Sequence, residues 1–207
     1  MLSFLTPVEA GSIKIPDGAL LFVDHGSRIV ECYTDSPTTH VAVVMYEDGV
    51  PYVYEAEPPK VRRYRLTEWF EQYGRQNEGS KRKAIITIFG SKSEDSSSEL
   101  ARKKEYLDDQ VGRRYSLRGY IRRIPGDGIH CSEMTAEMLG LSRPYAVSPY
   151  KLRSIVSETT HVQIGKQFYV EIKPEHQRSW GTRTADWWKD RGRWCDWSCG
   201  ESWRWCW

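Results

Sequence analysis

The stretch that decides the fold of this chain is Gly128-Ile129-His130-Cys131-Ser132-Glu133-Met134-Thr135-Ala136-Glu137-Met138-Leu139-Gly140. It predicts a short helix from Ser132 to Leu139, because these residues tolerate or favour helix and Gly140 stands where a C-terminal cap belongs. Cys131 is therefore expected at or just before the helix N-terminus, where unpaired N–H groups and the helix dipole favour a thiolate. The alternative for this stretch alone is a small apolar cysteine buried beneath a helix.

Length and composition narrow the class of protein. The 207 residues suit one domain with an appendage, and a net charge of +2 gives no reason to expect nucleic acid as a partner. The five cysteines are an odd number and do not form an obvious disulfide framework. No apolar run is long enough to span a membrane, and the N-terminus lacks the features of a signal peptide. We therefore expect synthesis in the cytoplasm, with action at the cell wall or membrane left open.

Two β-prone runs predict a hairpin. Residues 40–46 and 50–57 flank Asp48-Gly49, a favoured two-residue turn. With the turn centred there, paired residue numbers add up to 97, which places His40, Glu55 and Glu57 on one face. A histidine at the start of a strand would then have a carboxylate opposite it and another on the diagonal. A cross-strand charge pair at a sheet edge is the structural alternative.

Other runs complete the predicted sheet and its surroundings. Ala19 to Val23 and Ala84 to Phe89 are apolar enough to be strands, and His161 to Ile172 alternates like a closing strand. Residues 60–65 are basic and expected to be solvated, and a short helix is predicted from Leu66 to Gln72.

Two further histidines compete with His40 as a base. His161 starts a strand, but no turn places a carboxylate opposite it. His130 directly precedes Cys131, and neighbouring side chains usually point apart. The basic segment 113–123 is expected to be a solvated face, although it could receive an acidic substrate.

The composition changes after Ile172. No valine, isoleucine, leucine or methionine follows, yet eight of the nine tryptophans lie between Trp180 and Trp207. Residues 174–207 are therefore predicted to be an appendage to a domain of residues 1–173. This appendage could pack its indole rings over the surface of the domain, contact a membrane interface peripherally, or bind sugars or a partner protein. Cys195, Cys199 and Cys206 lack the paired spacing typical of zinc ligands, so no metal site and no cofactor are predicted.

The candidate residues form a nucleophile, a base and an orienting group. A Cys131 thiolate would attack a carbonyl carbon, and His40 would return a proton to the leaving amine. A carboxylate, Glu55 or Glu57, would orient the imidazole. The Cys131 backbone N–H would help to hold the oxyanion.

These pieces resemble the NlpC/P60 papain-like superfamily in a circularly permuted order. The matching elements are Gly18-Ala19-Leu20-Leu21-Phe22, His40-Val41-Ala42-Val43, Gly112-Arg113-Arg114-Tyr115 and His130-Cys131-Ser132-Glu133. The order is similar to that of YiiX/YaeF-like amidases, a branch that includes lecithin:retinol acyltransferase-type enzymes. The resemblance covers about residues 14–172. Ala19 and Arg114 depart from the family pattern, where aspartate and proline are usual.

The resemblance implies a fold, a triad and a class of substrate. The fold would be α+β, with a small antiparallel sheet packed against the helix that starts at Cys131. The family's glutamate falls on Glu55, which gives Cys131, His40 and Glu55 as catalytic residues, with Tyr115 and Ser132 binding substrate. The implied activity is hydrolysis of an amide, in a cell-wall peptide or a lipid-linked compound, through a thioacyl-enzyme. A lipid acyltransferase or esterase with a membrane-contacting tail, and a non-catalytic binding module, are the alternatives.

Overall fold

The computed structural model describes residues 2–172, which form an α+β fold around one mixed sheet. Seven strands lie in the order β1-β7-β6-β2-β3-β4-β5, and all neighbours are antiparallel except β1 and β7. The strands are β1 Ser3–Leu5, β2 Leu20–Asp24, β3 Thr38–Glu47, β4 Val50–Glu57, β5 Lys60–Arg65, β6 Ile85–Ser91 and β7 His161–Val170. The helices are α1 Pro7–Gly11, α2 Arg28–Thr34, α3 Leu66–Asn77, α4 Ser97–Gln110, α5 Arg118–Arg122, α6 Cys131–Met138 and α7 Pro149–Thr159. The predicted fold class is confirmed.

The β3–β4 hairpin has the register expected from its turn. Asp48 and Gly49 both have positive φ, at 50° and 76°, as a two-residue turn that follows the twist of the strands requires. Val43 pairs with Tyr54 and Val44 with Val53, so the paired numbers add up to 97. The turn alone thus determines which side chains of the two strands share a face.

Two hydrophobic clusters cover the two faces of the sheet. On one face, Val41 and Val43 pack with α6 and α7. On the other, Ala42 and Val44 pack with α3, whose buried residues recur at helical spacing: Leu66, Trp69, Phe70, Tyr73, Gly74 and Asn77. The central strand β2 is buried along its whole length, because both of its edges are paired and both of its faces are covered.

The sheet is larger than the sequence indicates. The basic segment 60–65, predicted to be solvated, is the edge strand β5, in which Val61 is buried and the arginines are partly exposed. An edge strand has one solvated side, so its charged residues conceal the strand pattern. The helix predicted to end at Gln72 continues to Asn77, and Gly74 is buried within it against Ile172, Pro7 and Val170.

The C-terminal end of α3 is attached to the sheet by the buried side chain of Asn77. Its amide nitrogen donates to the carbonyls of Ala84 at 3.2 Å and Val170 at 2.8 Å, and its oxygen accepts from Ala84 N–H at 2.7 Å. These bonds join α3 to the segment before β6 and to the end of β7. They hold the helix that carries Trp69.

We expect Asn77→Ala to lower the free energy of unfolding by about 2–4 kcal/mol, because it leaves buried backbone groups unpaired. Urea denaturation of the full chain measures this. The control is Arg75→Ala on the same helix, where an exposed pair with Glu71 is lost and the change should stay below about 1 kcal/mol. Equal effects of the two substitutions would contradict the role given to Asn77.

Candidate active site

The hairpin brings His40 and Glu55 into contact. His40 Nε2 lies 2.9 Å from Glu55 Oε2, and both side chains are buried. The register places Glu55 opposite Ala42, the next residue after His40 on the same face, so Glu55 is diagonal to His40. This diagonal is within reach of a histidine and a glutamate side chain. Of the two carboxylates left open by the register, Glu55 is thus the one at the imidazole.

Trp69 is a third member of this group. Its indole Nε1 donates to Glu55 Oε2 at 2.7 Å, which is the same oxygen that contacts His40. Trp69 is fully buried, and its ring packs on Tyr73 with 4.5 Å between the ring centroids. The sequence predicted Trp69 only as part of a helix. Its one distinguishing signal was that it is the single tryptophan before residue 180.

Helix α6 begins at Cys131, as the sequence predicts. His130 is its N-cap: the imidazole Nδ1 accepts from Glu133 N–H at 3.3 Å, and the His130 carbonyl accepts from Met134 N–H. The Glu133 carboxylate accepts in return from His130 N–H at 3.4 Å, which completes a capping box. Glu133, for which the sequence suggested no role, therefore fixes the start of the helix.

The thiol and the His40 imidazole change each other's acidity. Burial raises the pKa of the Cys131 thiol, but the positive charge of His40 and hydrogen bonding with His130 and His40 outweigh it and bring the pKa to about 6. Burial lowers the pKa of His40, yet the Cys131 thiolate and the Glu55 carboxylate hold it well above its usual value. At neutral pH the pair therefore favours thiolate and imidazolium. Since Glu55 contacts Nε2, Nδ1 is the ring nitrogen left for the thiol.

The Cys131 thiol and the His40 imidazole meet at the end of the sheet where β3 begins, although their residues belong to opposite faces. Cys131 packs with Val41 in the cluster on the α6 side, whereas His40 alternates with Ala42 and Val44, which belong to the α3 side. His40 lies near the start of β3, where the strand ends and a side chain can approach the other layer. The site therefore depends on both layers of the fold.

The two residues predicted to bind substrate differ in their surroundings. Tyr115 is buried, its N–H donates to the Pro59 carbonyl, and burial together with the nearby Cys131 and Glu57 raises the pKa of its hydroxyl. Tyr115 thus lies close to the thiol. Ser132 is fully buried, and its hydroxyl donates to the Val147 carbonyl at 2.7 Å. That bond holds the helix start against the segment before α7, and the substrate-binding role of both residues stays a prediction.

The rival histidines differ from His40 in their other partners, although His130 also lowers the pKa of Cys131. His130 Nε2 lies 3.3 Å from the Tyr145 carbonyl, and its Nδ1 caps α6, so both ring nitrogens have structural partners. His161 pairs with Ser91 in the sheet, and its Nδ1 lies 2.7 Å from the Thr160 hydroxyl. Burial and the charge of Lys103 lower the pKa of His161 to about 4.

Within residues 2–172, no group of three or more histidine, cysteine, aspartate or glutamate side chains could hold a metal ion, and no helix has the length and hydrophobicity of a membrane span. Cys195, Cys199, Cys206 and the tryptophan-rich segment lie outside the described residues.

Comparison with known proteins agrees with the fold. In the structure of the metalloprotein yiiX from Escherichia coli O157:H7, 98% of the chain superposes on 74% of this one, with a TM-score of 0.56 and 16% sequence identity. That likeness shows a shared fold. No curated protein sequence matches the chain significantly. Residues 14–177 match the model of the family described as "permuted papain-like amidase enzyme, YaeF/YiiX, C92 family". The chain therefore belongs to the C92 family of permuted papain-like amidases.

Proposed function

We propose that the protein is a cysteine hydrolase that cleaves an amide bond with Cys131 as nucleophile, His40 as acid and base, and Glu55 as the group that orients His40. The observation that supports this most directly is the His40–Glu55 contact of 2.9 Å beside a thiol whose pKa is about 6. Such a thiol is largely ionised at neutral pH, and the thiolate is the form of cysteine that attacks carbonyl carbon.

The reaction runs in two halves. The Cys131 thiolate attacks the amide carbonyl carbon and forms a tetrahedral intermediate. This collapses when the C–N bond breaks and His40 gives its proton to the leaving amine. A thioacyl-enzyme remains. Water, deprotonated by the now neutral His40, attacks the thioester; the C–S bond breaks, the acid leaves, and the thiolate and imidazolium are restored.

The start of α6 supplies donors for the oxyanion. The cap already provides partners for the N–H groups of Glu133 and Met134. The N–H groups of Cys131 and Ser132 have no hydrogen-bond partner within the part of the chain that the structure describes. The Cys131 N–H adjoins the carbon under attack, so it is the donor we assign to the developing charge.

Glu55 orients His40, and Trp69 positions Glu55. A buried carboxylate needs compensating hydrogen bonds, and here one oxygen accepts from Trp69 while it contacts the imidazole. Trp69 touches neither the thiol nor the substrate in this scheme. It acts only through the carboxylate.

The substrate that we propose is an amide in a cell-wall peptide or a related compound. This follows from the resemblance to papain-like wall hydrolases and from the amidase family. Peripheral membrane contact and action on lipids through residues 174–207 remain predictions from composition. A non-catalytic binding module with the same fold would keep Cys131, His40 and Glu55 together but would not hydrolyse a substrate.

The first prediction concerns the ionisation of Cys131. With a chloroacetamide probe and peptide mass mapping, labelling of Cys131 should rise with pH around a midpoint of about 6. In His40→Ala the midpoint should move upward, because the thiolate loses its counter-charge while the cost of burial remains. Cys32, a free and exposed cysteine on the same chain, is the internal control and should react alike in both proteins. Labelling at Cys32 without labelling at Cys131 near neutral pH would contradict the proposal.

The second prediction separates the charge of Glu55 from its position. Glu55→Gln keeps an oxygen for Trp69 but removes the charge, so the pKa of His40 falls and the labelling midpoint of Cys131 rises. The rise should be smaller than in His40→Ala, since the imidazole remains. The matched variant Trp69→Phe keeps the carboxylate charge and should shift the midpoint less than Glu55→Gln. An unchanged midpoint in Glu55→Gln would mean that the carboxylate does not influence the thiol through His40.

The third prediction tests turnover with p-nitrophenyl acetate, an activated acyl donor. The wild-type protein should release nitrophenolate continuously, with an acetyl adduct on Cys131 detected by mass spectrometry. His40→Ala should turn over at least about 100-fold more slowly, because deacylation loses its base. Cys131→Ala is the blank. If the wild-type rate equals this blank, the protein does not act as a hydrolase and the binding-module alternative is favoured.

A further inference from the structure

The Tyr73 side chain combines a buried ring with a hydroxyl group that forms no hydrogen bond within residues 2–172. The residue is 7% exposed, and its ring packs on Trp69 with 4.5 Å between the ring centroids. The hydroxyl oxygen is not enclosed by protein, so solvent reaches it. Buried tyrosines usually pair their hydroxyl groups. An accessible hydroxyl without a hydrogen bond, on a ring fixed by packing, is therefore suited to bind a ligand.

Helix α3 places Tyr73 over the start of β3. Positions 69, 73 and 76 are about one turn apart, so their side chains share a face of the helix. Trp69 bonds to a side chain of β4, and Gln76 Nε2 donates to the Gly26 carbonyl at 2.8 Å, just after β2 ends. In the sheet, β3 lies between β4 and β2. Tyr73 therefore lies at the end of β3 that carries His40.

The charges that act on Tyr73 are those of the candidate active site. Burial raises the pKa of its hydroxyl well above the usual value, and the charges of Glu55, Glu57 and Cys131 raise it further. These groups are thus close enough to influence the hydroxyl, although none of them accepts a hydrogen bond from it. Tyr73 stays protonated at neutral pH and can donate that hydrogen bond to a ligand.

The position of Tyr73 relates it to the amine half of a substrate. In the proposed reaction His40 gives its proton to the leaving nitrogen, so this nitrogen must lie at the imidazole. The oxyanion of the acyl half lies instead at the Cys131 N–H, at the start of α6. Tyr73 packs with Ala42 and Val44 on the α3 side of the sheet, which is also the side of His40. Atoms attached to the leaving nitrogen are therefore nearer to Tyr73 than the acyl atoms are.

We propose that Tyr73 is a substrate-binding residue whose hydroxyl donates a hydrogen bond to a carbonyl oxygen in the amine half of the substrate. The substrate is then an amide whose amine half carries a carbonyl group a few bonds from the scissile nitrogen, as an amino acid amide or a peptide does. A simple alkylamine half would not use Tyr73. The inference rests on the proposed function, because only cleavage at Cys131 divides the substrate into an acyl half and an amine half.

The test runs the acylation step in reverse. p-Nitrophenyl acetate acetylates Cys131 on the full chain, and an added amine then competes with water for the thioacyl-enzyme. The amine attacks the thioester carbon, the C–S bond breaks and His40 takes the proton of the amine, so the amine occupies the place of the leaving group. The amines are glycinamide, which carries a carbonyl group, and ethylamine, which carries none. The measured quantity is the ratio of N-acetylated amine to acetate, after subtraction of the uncatalysed transfer seen with Cys131→Ala.

In Tyr73→Phe the ratio for glycinamide should fall at least about threefold, because a hydrogen bond to its carbonyl is lost. The ratio for ethylamine should not change. Tyr46→Phe is the matched control: the Tyr46 hydroxyl donates to the Ile15 carbonyl at 2.9 Å near the other end of β3, so both ratios should stay at their wild-type values. Tyr73→Phe should unfold at the same urea concentration as the wild-type protein, since the hydroxyl it lacks forms no hydrogen bond within residues 2–172.

A second measurement needs no variant. The preference of the wild-type acetyl-enzyme for glycinamide over ethylamine should exceed the preference of a free acetyl thioester in water at the same pH by at least about threefold. The free thioester corrects for the different reactivities of the two amines.

Three outcomes overturn the inference. They are an unchanged glycinamide ratio in Tyr73→Phe, an equal fall of the ratios for both amines, and a wild-type preference no greater than that of the free thioester, including no transfer to either amine. If wild-type Cys131 forms no acetyl-enzyme at all, the proposed function fails instead, so the two failures are distinguishable.

Discussion

One carboxylate oxygen connects helix α3 to the β3–β4 hairpin. Glu55 Oε2 accepts from the Trp69 indole and contacts the His40 imidazole, all within a buried region. A carboxylate taken out of water is costly unless hydrogen bonds and positive charge compensate it. Here the compensating groups are the Trp69 indole of helix α3 and the His40 imidazole of the hairpin. The arrangement is stable only when α3 is packed on the sheet, which explains why Asn77 matters to a site that it does not enter.

The contact between Glu55 and His40 also influences the pKa of the Cys131 thiol. Burial alone would leave Cys131 protonated and inert, as it does for structural cysteines. The His40 imidazolium reverses this, and Glu55 helps to keep His40 charged. Because the imidazole belongs to the α3 face and the thiol to the α6 face, the pair forms only at the ends of the strands.

Local signals predicted the fold class and the hairpin accurately. Asp48-Gly49 determined the register, and the register left Glu55 and Glu57 as candidates for the group beside His40. The start of α6 at Cys131 followed from helix propensity and from Gly140. The errors occurred where charge or glycine concealed the pattern, as in the edge strand β5 and in the second half of α3. Trp69 was missed because its hydrogen bond joins segments fourteen residues apart, through packing that no periodicity records.

The sequence by itself determined the residue types and their local settings: a cysteine at a helix start, a histidine at a strand start, and glutamates across a two-residue turn. These settings depend on short-range backbone geometry, which a few neighbouring residues control. Only the tertiary structure decided that Glu55 meets His40, that Trp69 shares its oxygen, and that His130 and Glu133 cap α6. Burial and charge pairing at these contacts set the acidity of Cys131, and both depend on the complete fold.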